Sequence, residues 1–346
     1  MRSGSSLTGE ILQQNEHVFY VFEPLRVLSH LVKTNQPVLW FNGTRSPVTA
    51  LNITSVKKQT LIGWLTCNFS LVPSQSFDDW YFLSFGKKTD VYNNCIFKHF
   101  GIRYNNHYPN SSQTSSILHI RLSAIRRGER EKCLQKLKNT CLSSKFRIVK
   151  TIRTSMILAD EILTDVYGSK IIHLIRDPRS TVLSQAHYSG CPGGKRSVVA
   201  CSNFHCKRVD DDTEFKQKLQ TEKLARVYTT LYEQISLNPI SFAKSLYNFI
   251  GMELSEVISN SVLMITSGHN ITGCKVCEQS WQSRNKSNLI AKQDNYETMN
   301  SHLLSYVQSV CKNTIKYYGY EIYNVSHREF VSYNIVNVSN DKPIHV

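Results

Sequence analysis

The chain has 346 residues, a hydrophobic fraction of 41% and a formal net charge of +15. The hydrophobic content excludes an intrinsically disordered chain, and a content of only 15 glycines excludes a collagen-like one. No stretch of the sequence approaches the roughly 18 consecutive apolar residues of a membrane-spanning helix. The composition indicates a basic globular protein with enough residues for a sizeable core.

The chain opens on a segment rich in serine and glycine, which reads Arg2-Ser3-Gly4-Ser5-Ser6. A helix is predicted directly after it, because Leu7, Ile11 and Leu12 fall on one helical face. Backbone N–H groups at such a helix start attract anions, and glycine lets the anion approach closely. The segment lacks the GxxxxGK[ST] pattern of a Walker loop. It therefore predicts a phosphate-binding loop of another kind, with a frayed terminus as the alternative.

A strand over 18–22 is predicted next, and Glu23-Pro24 ends it because proline interrupts regular structure. We expect residues 26–120 to form a long irregular insertion, since this stretch is polar and aromatic without a clear period. Half of the eight Asn-X-Ser/Thr sequons fall within it; the eight begin at Asn42, Asn52, Asn68, Asn110, Asn270, Asn285, Asn324 and Asn337.

Ten cysteines are a high and even number for a chain of this size. A zinc site needs two paired ligand sets, whereas the chain has one CxxC, from Cys274 to Cys277. Disulfide bonds in an oxidising compartment explain the count better, and the sequons favour the same compartment.

Positive charge is concentrated between Arg121 and Arg153, where eleven Lys or Arg face two acidic residues. The stretch is either a solvated helical face or a surface that captures polyanions. Nucleic acid is a minor alternative, because the sequence has no zinc-finger, RNP or basic-zipper pattern.

The second half of the chain predicts alternating strands and helices. Strands are expected at 146–150, 170–175 and 226–232, and the second of these has the continuous apolar run of a buried parallel strand. Helices are expected at 154–166, with Ile157 on the inner face, then from Pro239 to Gly251 and over 298–317. The fold class is α/β, a parallel sheet flanked by helices. One domain is expected over residues 1–322, followed by a tail at 323–346.

Arg176 follows the predicted buried strand, and Ser184 lies eight residues later on the next helix. The carboxyl edge of a parallel sheet is where ligands bind, and an arginine with a hydroxyl there can clamp a phosphate. The alternative is that Arg176 and Asp177 form a local ion pair that caps the helix.

Together these motifs resemble the Golgi carbohydrate sulfotransferases that modify O6 of galactose, N-acetylgalactosamine or N-acetylglucosamine. The resemblance rests on the RSGSS loop, on the run from Lys170 through Arg179 to Ser184, and on shorter matches over 22–25, 149–153, 283–285 and 318–320. It covers residues 1 to about 322 and implies the P-loop-like fold of enzymes that use the donor PAPS (3′-phosphoadenylyl sulfate).

The resemblance implies a role for each matched residue. The donor's 5′-phosphosulfate would lie against Arg2, Ser3, Gly4, Ser5 and Ser6, and its 3′-phosphate against Arg176 and Ser184. Arg284 would also contact the nucleotide. Arg2 would stabilise the charge that develops on the bridging oxygen, and Glu23 would accept the proton of the acceptor hydroxyl. No metal is required by this scheme.

The sequence also departs from the family pattern. Leu231 and Gln234 replace the Arg and Asp that usually flank Tyr-Glu, and Gln293-Asp294 replaces a usual Trp-Arg. The family has a strand before the phosphate loop and, farther upstream, a stem and membrane anchor. We therefore expect this chain to be an N-terminally truncated form of a type II membrane protein of the Golgi lumen.

The predicted partner is a glycan or glycosaminoglycan acceptor and not nucleic acid. A membrane contact would come only through the upstream anchor, and a homodimer is compatible with the sequence.

Two other functions are considered. A catalytically silent relative would bind glycan or PAP, the product nucleotide, without turnover. A metal-dependent glycosyltransferase would use Asp210-Asp211-Asp212, although a solvated loop is the simpler interpretation of these aspartates.

Overall fold

The computed structural model describes residues 4–79, 83–99, 127–189, 191, 197–267, 274, 299–324 and 329–331. Its central strands form two parallel pairs. Strand β1 (Val18–Phe22) pairs with β4 (Phe146–Lys150), and β5 (Ile171–Ile175) pairs with β6 (Val227–Leu231). The small antiparallel pairs are β2 (Val38–Leu39) with β3 (Arg45–Ser46), and β7 (Ile322–Asn324) with β8 (Glu329–Val331). These parallel strands and their helices confirm the predicted α/β class.

Helices surround these strands. The described α-helices, in chain order, are α1 (Ser5–Leu12), α2 (Arg26–Lys33), α3 (Ile53–Leu65), α4 (Asp90–His99), α5 (Arg127–Ser143), α6 (Met156–Asp165), α7 (Pro178–Ser184), α8 (Val198–Gln217), α9 (Thr221–Leu224), α10 (Glu233–Leu237), α11 (Pro239–Ile250), α12 (Glu256–Thr266), α13 (Ser301–Val310) and α14 (Lys312–Tyr317). Among the described residues, no helix combines the length and apolar character that crossing a bilayer requires.

Strand β1 is covered on both faces. Because successive side chains of a strand point to opposite faces, Val18 and Tyr20 join the apolar cluster built with α1, α11 and α12. Phe19 and Val21 join a second cluster on the other face, with Trp64 of α3 and residues of α4 and α5. The strand is therefore the middle layer of a three-layer arrangement, as the near-continuous apolar sequence of the strand requires.

The expectation of an irregular insertion at 26–120 is wrong for its described part. Residues 26–99 contain α2, α3, α4 and two short 3₁₀ helices, Phe69–Leu71 and Ser74–Phe77. Their stability comes from tertiary packing, which overrides weak local propensity: Trp64 of α3 is 1% exposed and lies against the rings of Phe69 and Phe77. The sequence pattern cannot reveal such contacts because they form between separate segments.

Other boundaries also differ from the expectations. The predicted helix at 298–317 is described from residue 299 onward and is divided into α13 and α14 at Cys311. Ile157 does not lie on the inner face of α6 but is 54% exposed, and the buried positions begin with its neighbours Met156 and Leu158. The three aspartates at 210–212 lie within α8 and not in a loop.

Four disulfide bonds join described cysteines. Cys67–Cys141 and Cys95–Cys133 attach the region before residue 100 to α5, while Cys191–Cys201 and Cys206–Cys311 stabilise the surroundings of α8. Cys274 is also disulfide-bonded. These bonds support the expectation of disulfides and exclude a zinc site built on Cys206 and its neighbour His205 while the bond to Cys311 is intact.

The basic stretch is described from residue 127, where it forms α5. Cys133, Leu137 and Cys141 are buried on one face of this helix, whereas Lys132, Lys136 and Lys138 are exposed on the rest of its surface. The structure thus shows a solvated basic face, which also leaves these lysines accessible to an anionic ligand.

The two disulfides around α8 should make different contributions to the free energy of unfolding. In the chain-entropy model a cross-link stabilises more when it closes a longer loop. Cys206–Cys311 spans 105 residues and Cys191–Cys201 spans 10. Replacing both cysteines by serine should lower the free energy of unfolding by about 4–5 kcal/mol for the long loop and about 2–3 kcal/mol for the short one. Urea unfolding of the two double variants tests this order, and a larger loss for the short loop would contradict it.

Candidate active site

The predicted site residue Arg176 lies where two central strands end. Tyr232 directly follows β6, and its backbone N–H donates to the carbonyl of Ile175 at the end of β5, at 2.8 Å. Arg176 is the next residue after β5. The carboxyl ends of these parallel strands therefore place Arg176 and Tyr232 at one edge of the sheet, which is where ligands of open α/β sheets bind.

Gly4 of the predicted phosphate loop packs against the same tyrosine. It precedes α1 with φ 79° and ψ 8°, a left-handed conformation that favours glycine. A Cβ atom on Gly4 would lie 1.9 Å from two ring carbons of Tyr232, so the ring occupies the space that any side chain here would need. Ser5 and Ser6 begin α1, and the first turn of a helix leaves N–H groups without partners inside the helix.

The guanidinium of Arg176 lies 4.7 Å from the centre of the Tyr232 ring. This distance is within the range of a cation–π interaction, which attracts the cation to the ring. Tyr232 therefore contacts both Gly4 and Arg176, and the two predicted anion-binding elements meet on one aromatic ring.

The alternative role for Arg176 as the ion-pair partner of Asp177 is not what the structure shows. Asp177 does cap α7, since its carboxylate accepts from the N–H of Arg179 at 2.9 Å. Its ion-pair partner is the guanidinium of Arg179, which is 2% exposed and lies 2.6 Å away. Arg179 also donates to the carbonyl of Glu321. Arg179 thus has a structural role, and the ring of Tyr232 supports Arg176 separately.

Glu233 holds the turn after β5 in place through a hydrogen bond to its backbone. Its carboxylate accepts from the N–H of Asp177 at 3.0 Å and from the hydroxyl of Tyr320 at 3.1 Å. Burial raises the pKa of Glu233, and the nearby Asp177 charge adds to this effect. A buried carboxylate with two donors ties the turn after β5 to the turn after β6.

Glu23 lies at the end of β1, in a cluster of charges. It is 3% exposed, and its carboxylate is paired with the ammonium of Lys150 at 2.6 Å and with the guanidinium of Arg153. Burial lowers the pKa of Lys150, an effect that the Glu23 charge opposes. Glu23 has φ 51°, a conformation that costs a non-glycine residue about 1–2 kcal/mol. Such strain is concentrated at functional sites, which favours a role for Glu23 beyond packing.

One cavity reaches from the start of α1 to two of the cationic side chains. Its volume is about 610 Å³, and its lining includes Ser5 of α1, Lys150 of β4 and Arg176 after β5. This volume is within the roughly 300–1,000 Å³ of small-molecule sites. The start of α1 and two cationic side chains therefore border one space, a donor set that fits an anionic group.

The three aspartates of α8 are engaged separately. Asp210 accepts from the Thr314 hydroxyl, Asp211 pairs with Lys207, and Asp212 accepts from the N–H of Met156. Consecutive residues of a helix point in different directions, so these carboxylates do not converge on one ion. The one group with metal-ligand spacing in the described part of the chain is Cys95, His99 and Cys133, and its two sulfurs form a disulfide.

Four further residues were predicted to bind the donor. Ser184 is the last residue of α7 and is partly buried. The helix that carries it begins at Pro178, two residues after Arg176. Arg2, Ser3 and Arg284 lie outside the described residues. The roles assigned to these four residues stay predictions.

Sequence reasoning missed three side chains of the site. Tyr232 was noted only as part of a family pattern, although its position after a predicted strand placed it at the same sheet edge as Arg176. Lys150 and Arg153 were noted in the same way, although Glu23 pairs with both. Their separation from Glu23 by more than a hundred residues hides this cluster from any local motif.

The contact between Gly4 and Tyr232 can be tested by comparing two glycines. Gly4→Ala and Gly43→Ala both place a side chain in left-handed backbone, but the structure has no atom within 4 Å of a Cβ on Gly43. Each change should cost about 1–2 kcal/mol for its conformation. Gly4→Ala should cost about 1–3 kcal/mol more because it displaces the Tyr232 ring. Equal unfolding free energies of the two variants in urea would show that the contact is absent.

Comparison with known protein families agrees with this geometry. Residues 1–319 match the family model described as the sulfotransferase domain. No curated protein matches the chain. The matched range contains the α1 loop, both parallel strand pairs and the turns that carry Glu23, Arg176 and Tyr232. Sulfotransferases are transferases that typically take their sulfuryl group from PAPS, and their domain has the fold of PAPS-dependent enzymes. The chain belongs to the sulfotransferase family.

Proposed function

We propose that the protein transfers a sulfuryl group from PAPS to a sugar hydroxyl of a glycan or glycosaminoglycan, at O6 of galactose, N-acetylgalactosamine or N-acetylglucosamine. The observation that carries the proposal is the meeting of Gly4 and Arg176 on the ring of Tyr232. Family membership supports the sulfuryl transfer, and the resemblance of the motifs to carbohydrate sulfotransferases supports the sugar acceptor.

The described residues fit a doubly anionic donor. The N-terminal amides of α1 and the hydroxyls of Ser5 and Ser6 would hold one phosphate, where the helix dipole also favours negative charge. The planar guanidinium of Arg176 would hold the other phosphate, with Ser184 as the predicted hydroxyl partner. Bound PAPS would supply the sulfuryl group. The cations of this site favour the negative charge that grows as the sulfur–oxygen bond breaks, and Arg2 is the predicted residue at the bridging oxygen.

Glu23 is the proposed general base. An acceptor hydroxyl is a poor nucleophile at neutral pH, and a carboxylate within hydrogen-bond distance can remove its proton. Both carboxylate oxygens of Glu23 pair with cations in this structure, so one oxygen has to turn from Lys150 or Arg153 toward the acceptor. Lys150 borders the same cavity as Arg176, which supports a position for Glu23 beside the donor site.

The proposed location is the Golgi lumen, with the full-length protein anchored as a type II membrane protein. The four disulfides between described cysteines support an oxidising compartment. The sequon residues Asn42 and Asn68 are exposed, as attachment of a glycan requires.

A catalytically silent relative is the second candidate, and one observation favours it. Leu231, at the position where carbohydrate sulfotransferases usually carry Arg, packs in an apolar cluster with Ile175 and Tyr318. The carboxyl end of β6 thus lacks one cation of the usual set. Such a protein would bind PAP but transfer no sulfuryl group.

Arg176→Ala should weaken binding of PAP by about 1.5–3 kcal/mol, because a hydrogen-bonded charge partner is lost. The matched control is Arg226→Ala. Arg226 directly precedes β6, at the opposite end of the strand, and donates to the carbonyl of Ser169 at 2.8 Å. Calorimetry should show normal PAP affinity for the Arg226 variant. Unchanged affinity in the Arg176 variant would refute the proposed phosphate contact.

Glu23→Gln should lower kcat by about 10²–10⁴-fold if Glu23 is the base, and PAP affinity should change little. Glu10→Gln is the control for losing a buried carboxylate, since Glu10 is 2% exposed and accepts from Gln13 and Gln14. Equal losses of kcat in the Glu23 and Glu10 variants would assign Glu23 a structural role.

A further inference from the structure

Four side chains of the types that bind metal ions lie where α4 packs against α5. Cys95 and His99 are four residues apart on α4, and Glu129 and Cys133 are four residues apart on α5. Residues at positions i and i+4 lie on one face of a helix, as do the two histidines of the zinc-binding HExxH helix. Each of the two helices therefore contributes two such side chains to the surface between them.

The donor atoms of these side chains converge on one point. The sulfurs of Cys95 and Cys133 and a ring nitrogen of His99 lie within 4.8 Å of one another. The Nε2 atom of His99 lies 3.2 Å from Oε2 of Glu129. Adjacent ligands of a tetrahedral zinc ion are about 3.3–3.8 Å apart, since the metal–ligand bonds measure about 2.0–2.3 Å. The observed separations are close to this range, and small side-chain rotations are enough to reach it.

The two sulfurs form a disulfide in this structure, which excludes a metal from them while the bond is intact. A dithiol reductant would give two electrons and two protons to these sulfurs and become a disulfide itself. Zn²⁺ would then displace the two protons, because the thiolate is the form that binds a metal. The Cα atoms of Cys95 and Cys133 are 5.6 Å apart, so both sulfurs stay at this point of the helix interface after the bond is broken.

The cluster is closed on its sulfur side and open on the other. Cys95 and Cys133 are buried, whereas the side chains of His99 and Glu129 are 38% and 33% exposed. An ion can therefore enter from solvent past the imidazole and the carboxylate. The ammonium of Lys132 donates to the second carboxylate oxygen of Glu129, Oε1, at 3.0 Å. Such an outer partner orients a ligating carboxylate, and here it leaves Oε2 directed toward His99.

The other disulfide of α5 has no such surroundings. Cys67–Cys141 joins α3 to the same helix. Among the described residues, however, the cluster at Cys95 and Cys133 is the one that brings three or more Cys, His, Asp or Glu side chains to metal-ligand spacing. Two thiolates, an imidazole and a carboxylate are the ligands that Zn²⁺ accepts together, whereas Ca²⁺ and Mg²⁺ require oxygen ligands.

We propose that Cys95, His99, Glu129 and Cys133 bind one structural Zn²⁺ when the two cysteines are in the dithiol form. Four protein ligands fill a tetrahedral shell, which is the pattern of structural zinc sites. The ion would join α4 to α5 as the disulfide does, so this pair of helices is cross-linked in both redox states. None of the four residues lines the 610 Å³ cavity, so the site is separate from the candidate active site and independent of the proposed function.

Alkylation of the full chain, followed cysteine by cysteine with mass spectrometry, is the first test. A phosphine reduces the disulfides without adding a competing thiol: it takes the oxygen of a water molecule, whose two protons go to the sulfurs. Zn²⁺ should then slow alkylation of Cys95 and Cys133 by about 10-fold or more, because a tightly bound ion shields both sulfurs. Cys67 and Cys141 should react equally fast with and without Zn²⁺. An equal effect of Zn²⁺ on both pairs, or no effect on either, would overturn the proposal.

Two pairs of variants test the ligands beside the sulfurs while every cysteine is kept. Both His99→Ala and Glu129→Gln should weaken the Zn²⁺ protection of Cys95 and Cys133, and the affinity should fall by about 100-fold or more for His99→Ala, because even an outer-shell partner is worth 10–100-fold. The controls are His30→Ala, an exposed histidine of α2, and Glu131→Gln, an exposed glutamate of α5. Both controls should retain the protection. Full protection in the His99 variant would refute the four-ligand site.

The absorption spectrum with Co²⁺ in place of Zn²⁺ tests the geometry. The reduced chain should show the strong visible bands of a tetrahedral ion and thiolate-to-metal charge transfer in the near ultraviolet. Replacing Cys95 and Cys133 by serine should remove both features, and replacing Cys67 and Cys141 should not. The chain without phosphine should show neither feature, because the sulfurs are then bonded to each other. The weak absorption of an octahedral ion, or bands that persist without Cys95 and Cys133, would contradict the site.

Discussion

The ring of Tyr232 is the contact on which the candidate site depends. It fills the space above Gly4, so the loop before α1 can approach the sheet edge only because residue 4 has no side chain. The guanidinium of Arg176 lies on the same ring. Glu233, the next residue, ties this turn to Asp177 and Tyr320. One aromatic side chain thus sets the spacing between a helix start and a cation.

Charge is distributed asymmetrically around this contact. The side of β5 and β6 presents Arg176, whereas the side of β1 and β4 holds a buried carboxylate, Glu23, between two cations. Burying a carboxylate is costly unless it is paired, so the cluster is stable only as a unit. Glu23 is the proposed base, and this cluster places it beside the cationic side chains of Lys150 and Arg153.

The sequence predicts the parts of the fold that local pattern controls. The strands predicted at 18–22, 146–150 and 170–175 form β1, β4 and β5, and the helix predicted from Pro239 forms α11, with Gly251 as its C-cap. Arg176 lies at the predicted sheet edge for the same reason. The helices at 26–99 could not be predicted, because the packing of Trp64 and two disulfides to α5 stabilise them from distant parts of the chain. The contacts of Tyr232 and Glu23 likewise join residues far apart in sequence.

The transfer of labelled sulfate from PAPS to a panel of acceptors is the most direct test of the function. Protein expressed in the secretory pathway is incubated with the labelled donor and with glycans that end in galactose, N-acetylgalactosamine or N-acetylglucosamine, beside a tyrosine peptide and a small phenol. The account predicts label on a sugar, at O6, and none on the peptide or the phenol. Transfer to the phenol or the peptide alone, or PAP binding without transfer to any acceptor, would contradict it.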